Sequence, residues 1–155
     1  MMKIKFNSYV SNEFLLRNFS TLTGRTGLYF IFLEKLMISY PFTGSRLIYI
    51  GMSESRINSI GNRLRDHASG RSDNRGISGY MKKWAVSFTY FDSEFLGQVF
   101  PGIKIEATET IFLESFADEF GAYPICNNKR GDLVAAPKIQ DIFIDWSYFG
   151  GTNGK

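Results

Sequence analysis

LIYIGMSESRINSIGNRLRDHASG, residues 47–70, starts as one kind of structure and finishes as another. Leu47–Ile50 is a short, β-rich apolar run closed by Gly51. A loop of Met, Ser and Glu follows, and then an amphipathic segment that ends at Gly70. The pattern reads strand, turn, helix. At about 100° per residue, Ile57, Ile60, Leu64 and Ala68 share one stripe, which predicts a face turned toward a core. Arg56, Arg63 and His67 form a second stripe beside it. A guanidinium and an imidazole then stand one turn apart at the edge of a packed face, held rigid and still open to a ligand.

Upstream lies a second apolar run, Gly27–Leu33 (GLYFIFL), and between the two runs the stretch SYPFTG at 39–44 is rich in turn formers. Two such runs predict a β-hairpin. Alternation turns Tyr29 away from Phe30, and Tyr49 away from both Ile48 and Ile50, so the two tyrosines can share one face of the sheet. By these residues alone they read more readily as core residues with hydrogen-bonded hydroxyls.

With Gly27-Leu28-Tyr29 and Tyr49-Ile50-Gly51 as its two tripeptides, the chain resembles the GIY-YIG nuclease family. The likeness continues through Arg63 and His67 in an R-x-x-x-H helix, Glu114 in ETIFLE and Asn127 in PICN. It covers residues 27–128, about two thirds of the chain. The chain departs from the family at Leu28, where isoleucine is usual, and at Met52, where serine or lysine is frequent. The stretch between Gly51 and Arg63 is also longer than usual.

The resemblance implies an α+β fold, a small domain with a central three-stranded antiparallel sheet flanked by helices. The expected organisation is one domain over 1–155, with a nuclease-like core at 27–128 and packing extensions at 1–26 and 129–155. It also implies a Mg²⁺- or Mn²⁺-dependent endonuclease that hydrolyses phosphodiester bonds in DNA, with RNA left open as a substrate. Either Tyr49 or Tyr29 would serve as general base, Tyr49 being preferred, since neighbouring cations can lower a phenol's pKa. Arg63 would clamp the phosphate with paired donors, and His67 would take a proton or hold the phosphate. Glu114 would be the metal ligand, one hard oxygen completed by waters and phosphate oxygens. Asn127 would support the site or contact the phosphate. A helical wheel by itself places Glu114 on a polar side with Thr110 and Asp118 and does not separate it from Glu109 or Glu119.

Composition sets the outer bounds. A chain of 155 residues can form one domain with a proper core, and its 16% aromatic content favours a sheet-containing fold. No apolar run approaches the ~20 residues of a membrane helix, and Met1–Phe6 alternates where a signal peptide would be uninterrupted. Cys126 stands alone, which excludes an internal disulfide framework and a multi-cysteine zinc site and predicts a reduced, intracellular (cytoplasmic) setting.

Net charge is only +3, but it is unevenly spread. Between residues 54 and 83, Arg56, Arg63, Arg65, Arg71, Arg75, Lys82 and Lys83 outweigh Glu54, Asp66 and Asp73. Between 84 and 121 acids dominate and Lys104 is the lone base. Arg56, Arg65, Arg71, Arg75, Lys82 and Lys83 are therefore the candidate DNA contacts, although solvated faces give the same pattern.

The rest of the chain yields elements without chemistry. Lys3–Phe6 is a candidate strand, Ser11 could cap a helix to Phe19, and 20–26 reads as a polar linker. Ser78–Lys83 is expected to be a short helix, Ala85–Phe91 a third strand, Asp92–Ile105 a loop and Glu106–Phe120 a helix stopped by Gly121. Loops at 34–46, 71–82 and 92–105 are the expected DNA contacts. The tail 138–149 is too apolar to be free, and packs on the domain or on a second copy; GGTNGK at the end reads as disordered. Two readings from other classes remain: a catalytically weak nucleic-acid-binding module, and an interaction protein assembling through its aromatic tail.

Overall fold

The computed structural model describes residues 2–6, 10–11, 17, 19–127, 134–139 and 141–150. The strands are β1 (Met2–Lys5), β2 (Val10–Ser11), β3 (Gly27–Leu33), β4 (Ile38–Ser39), β5 (Gly44–Ser45), β6 (Leu47–Ser53), β7 (Val86–Asp92) and β8 (Ile142–Asp145). The helices are α1 (Ile60–Ala68), α2 (Arg75–Lys83), α3 (Ser93–Val99) and α4 (Ile105–Phe120). Short 3₁₀ turns occupy Phe19–Leu22 and Trp146–Phe149.

The chain is mixed α and β around an antiparallel sheet in the order β2-β7-β3-β6. Its three long strands are the expected ones, with β3 central between β6 and β7 and the two-residue β2 added at one edge. Every residue of β3 is buried, which is why GLYFIFL reads as a continuous apolar run instead of an alternation. One sheet face carries Leu28, Phe30, Phe32, Leu47 and Ile50 against Phe112, Leu113 and Phe116 of α4 and Leu96 and Val99 of α3. The other carries Tyr29, Ile31, Leu33 and Ile48 against Ile60 and Leu64 of α1 and Ile77 of α2.

The termini belong to the first layer. Strands β1 and β8 pair in parallel, and Ile4, Phe6, Ile144, Trp146 and Phe149 are buried with Phe30 and Phe112. The apolar tail thus packs on its own domain. Its anchor is Arg46, whose guanidinium donates to the carbonyls of Leu33 (3.2 Å), Glu34 (3.2 Å), Tyr148 (2.5 Å) and Gly150 (3.1 Å). Its carbon also lies 5.3 Å from the Phe32 ring centre and 6.0 Å from that of Tyr148. Removing a partner that satisfies several half-buried carbonyls costs roughly 2–4 kcal/mol. Arg46→Ala is therefore expected to lower the unfolding free energy by that amount, read as a lower urea midpoint, and an unchanged midpoint would show the clip to be idle.

Several expectations are corrected. Asp92–Ile105 is not one loop: Asp92 accepts a hydrogen bond from the Phe95 amide (3.0 Å) and caps α3. Asn74 does the same for Ile77 (3.1 Å), so α2 begins at Arg75 and not near Ser78. Ser59 caps α1, which starts at Ile60; Ile57 lies before the helix, 82% exposed, and is no part of its core stripe. Arg56 likewise precedes the helix and shares no stripe with Arg63. Residues 34–46 hold the small β4–β5 hairpin, and 19–22 is a 3₁₀ turn instead of linker. Ser11 lies in β2, while most of the helix expected after it, the end of the PICNN segment at 128 and the final residues 151–155 fall outside the described residues. Gly121, at φ +86°, stops α4 as expected, in a conformation that favours glycine.

Candidate active site

Strand β6 does not alternate cleanly. Ile31 pairs with Tyr49 but Phe32 pairs with Leu47, so Ile48 is an extra residue in a β-bulge. Ile48 and Tyr49 consequently lie on the same side of the sheet, toward α1, which corrects the expectation that they face oppositely. Regular pairing from Tyr29–Gly51 to Ile31–Tyr49 keeps Tyr49 on the Tyr29 face, and the bulge adds Ile48 to it. Their ring centres are 6.0 Å apart, and each lies within 6 Å of the His67 ring (5.7 Å from Tyr29, 5.6 Å from Tyr49).

Gly51 pairs with Tyr29, and a Cβ there would overlap the Tyr29 ring. The glycine of the second tripeptide is thus the seat of the tyrosine of the first. Tyr29 is 1% exposed, and its hydroxyl lies 3.1 Å from His67 Nε2 in a hydrogen bond whose direction follows the imidazole tautomer. Burial pushes the Tyr29 pKa well above its usual value; Tyr49 adds to the rise and Arg63 opposes it. Tyr49 is only half-buried and lines the cleft beside it.

Helix α1 supplies the other wall. Ile60 and Leu64 fix it to the sheet, the Ile60 amide donates to the Arg25 carbonyl (2.8 Å), and Gly61 packs directly on the main chain of Leu22 and Thr23. Arg63 and His67, one turn apart, then reach the cleft together. The cleft, about 360 Å³, is lined by Tyr29, Tyr49, Arg63, His67, Asp66, Arg71, Ser72, Asp73 and Asn74. Its floor loop is closed by the Asp66 carbonyl, which accepts from the amides of Arg71 (2.9 Å) and Ser72 (3.1 Å).

His67 is 7% exposed, and burial holds its pKa down at about 4, with Arg63 pushing the same way against Asp66. At neutral pH the imidazole is therefore uncharged. Its Nδ1 is buried with no hydrogen-bond partner among the described residues. An unfolded histidine titrates near ~6.5, so below that pH the unfolded chain binds the extra proton and the native state loses stability until the pH reaches about 4. The loss from this group is roughly 3 kcal/mol, complete below pH ~4. Urea unfolding at pH 4 and pH 7 should show it, and His67→Gln should flatten the difference; equal pH slopes in the two proteins would contradict it.

Asn127 contacts no cleft group. Its Oδ1 accepts from the Ile50 amide and its Nδ2 donates to the Ile50 carbonyl, each at 2.9 Å, and the Cys126 amide donates to the Ile48 carbonyl (2.8 Å). Residues 126–127 thereby complete the free edge of β6 and hold the bulge. The Asn127 amide also donates to the Pro124 carbonyl (2.9 Å), closing a turn. Asn74 ties the cleft loop to the same segment by donating to the Cys126 carbonyl (2.9 Å). Burial raises the Cys126 thiol to about 12, which makes it a packing residue.

Glu114 is not brought to the cleft. It is exposed, accepts a hydrogen bond from the Tyr123 hydroxyl (3.3 Å) and lines a separate groove with Thr110, Ile111, Asp118 and residues 134–139. Glu109, five residues earlier and roughly 140° round the helix, is 3% exposed, on the stripe of Phe112, Leu113 and Phe116. Its negative charge is felt by Tyr29 and raises that tyrosine's pKa. Glu109 is the buried carboxylate of α4. A charged residue inside an apolar helical stripe was the available signal of that burial.

Of the six cationic candidates, only Arg71 lines the cleft. Arg75 opens α2 next to Asn74, and Lys82 and Lys83 close it. Arg65 is half-buried, 3.8 Å from Asp66, and Arg56 is exposed on the loop before α1. Among the described residues no three His, Cys, Asp or Glu side chains cluster to hold a metal ion, and no helix is long and apolar enough to cross a membrane.

Compared with known proteins, the chain matches no family model, no curated protein and no solved structure.

Proposed function

We propose that the cleft is the active site of a phosphodiester endonuclease of the GIY-YIG type, acting on DNA. The observation that carries this is the convergence of Tyr49, Tyr29, Arg63 and His67, from two strands and a helix, on one cleft. Tyr49, half-exposed there, takes the proton of an attacking water. Tyr29, buried and bound to His67, orients it and does not itself meet solvent. Arg63 and Arg71 hold the phosphate, Arg63 through the planar fork that lysine lacks. Neutral His67 is competent to accept a hydrogen bond or a proton within the cluster.

Mg²⁺ needs only one or two protein carboxylates. Glu114 does not fit that part, being in another groove. Glu109 has the right ligand type and its charge reaches Tyr29, but it is buried behind the cleft lining, not in it. When bound, the ion would neutralise charge developing on the phosphate and ease deprotonation of water.

The test is incubation with plasmid, single-stranded and branched DNA and with RNA, with and without Mg²⁺ or Mn²⁺. Metal-dependent nicking is expected, and Arg63→Lys should remove at least about tenfold of it, since a point charge cannot replace a bidentate clamp. Tight DNA binding without cleavage under any metal would replace this reading with that of a binding module.

A further inference from the structure

At the far end of α2 from the cleft, Trp84 is 43% exposed, whereas the chain's other tryptophan, Trp146, is 4% exposed in the core. The Trp84 amide donates to the Tyr80 carbonyl (2.9 Å), and the Tyr80 ring lies against the indole at 5.6 Å between centres. An exposed indole is thus held in place by the helix end and by a second ring. The helix beneath it, RGISGYMKK, carries Arg75, Lys82 and Lys83 and no acid. Glu34, whose amide donates to the Ala85 carbonyl (3.0 Å), has its carboxylate engaged by the Ser87 hydroxyl (2.8 Å).

We propose that Trp84 and Tyr80 form a stacking platform for an unpaired base of a nucleic-acid strand that runs along α2 from the cleft. Cations supply a sequence-independent grip on phosphates. A fixed aromatic face adds stacking that any base satisfies, provided that base is not already stacked within a duplex. Ten residue steps, across the nine residues of α2, separate Asn74 at the cleft from Trp84, about 15 Å at the α-helical rise. That distance spans about four stacked nucleotides, or fewer in an extended strand. The preferred substrate class is then one with a single-stranded segment beside the cleavage point: a flap, branch or gapped end. This rests on the nuclease reading for the strand's path, not for the platform itself.

The experiment uses the full chain in EDTA, so that binding is read without cleavage. Its probes are a short thymidine oligonucleotide, a blunt duplex hairpin of equal charge, and phosphatidylserine vesicles. Tryptophan emission isolates the platform because Trp146 is shielded. The oligonucleotide is expected to quench it strongly and the hairpin weakly. Trp84→Ala should weaken oligonucleotide binding by about tenfold without changing its salt slope, while Lys83→Ala should reduce the slope. Trp84→Phe keeps a ring and should retain most of the affinity. Equal quenching by hairpin or vesicles, or unchanged affinity in Trp84→Ala with the Trp146 emission native, overturns the platform. Cleavage that persists while Trp84 stays silent defeats this inference alone. Quenching without any cleavage defeats the nuclease reading alone.

Discussion

Tyr49→Phe is expected to lower kcat by about 10²–10⁴, the range for losing a general base, while leaving DNA binding and folding close to wild type. The phenyl ring preserves the packing against His67, and Tyr29, which loses its side-chain hydrogen bond with Tyr49, keeps His67 Nε2 as a partner. Tyr29→Phe should behave differently. It removes the buried partner of His67 Nε2, so about 1–3 kcal/mol of stability should go with it. Its rate loss should be smaller, because Tyr29 acts through Tyr49 and His67. Single-turnover cleavage and urea titration of both variants separate the two roles. A larger rate loss for Tyr29→Phe would exchange the assignments, and equal losses would mean that the two phenols share the proton.

The sheet was legible because its three long strands are apolar runs of strand length, and α1 and α4 because their stripes repeat at helical spacing. The bulge at Ile48 was not legible. A strict two-residue period is the only register information a lone strand carries, and an extra residue shows itself only in how the partner strand pairs. The short helix α3 was hidden by Gly97 and by the Pro101-Gly102 turn, which made the stretch read as loop. The start of α1 was misplaced because Ile57 fits the stripe by spacing while the cap that decides the matter is Ser59. Asn127 could be located by its motif, but its two bonds to Ile50 depend on β6 being an edge strand, a property of sheet order.

The carboxylate shows how resemblance and packing can disagree within one helix. Spacing before the PICN segment favours Glu114, but α4 can turn only one side to the sheet, and that side bears Glu109 with Phe112, Leu113 and Phe116. A glutamate kept 3% exposed in such company carries a desolvation cost that its surroundings must offset. Glu109→Gln keeps the shape and removes the charge. If Glu109 holds the metal, that change should cost several kcal/mol of transition-state stabilisation, roughly 10²–10³ in rate. It should also raise the Mg²⁺ concentration needed for half-maximal cleavage, with DNA affinity in EDTA unaltered. Glu114→Gln loses only an exposed hydrogen bond with Tyr123 and should cut within about twofold of wild type. The pair of variants is read by metal titration of the cleavage rate, with circular dichroism confirming that both fold. Cleavage that dies with Glu114→Gln and survives Glu109→Gln would restore the sequence motif over the packing argument. Loss in Glu109→Gln with no shift in metal dependence would make the buried carboxylate a partner of the tyrosine cluster and not a ligand.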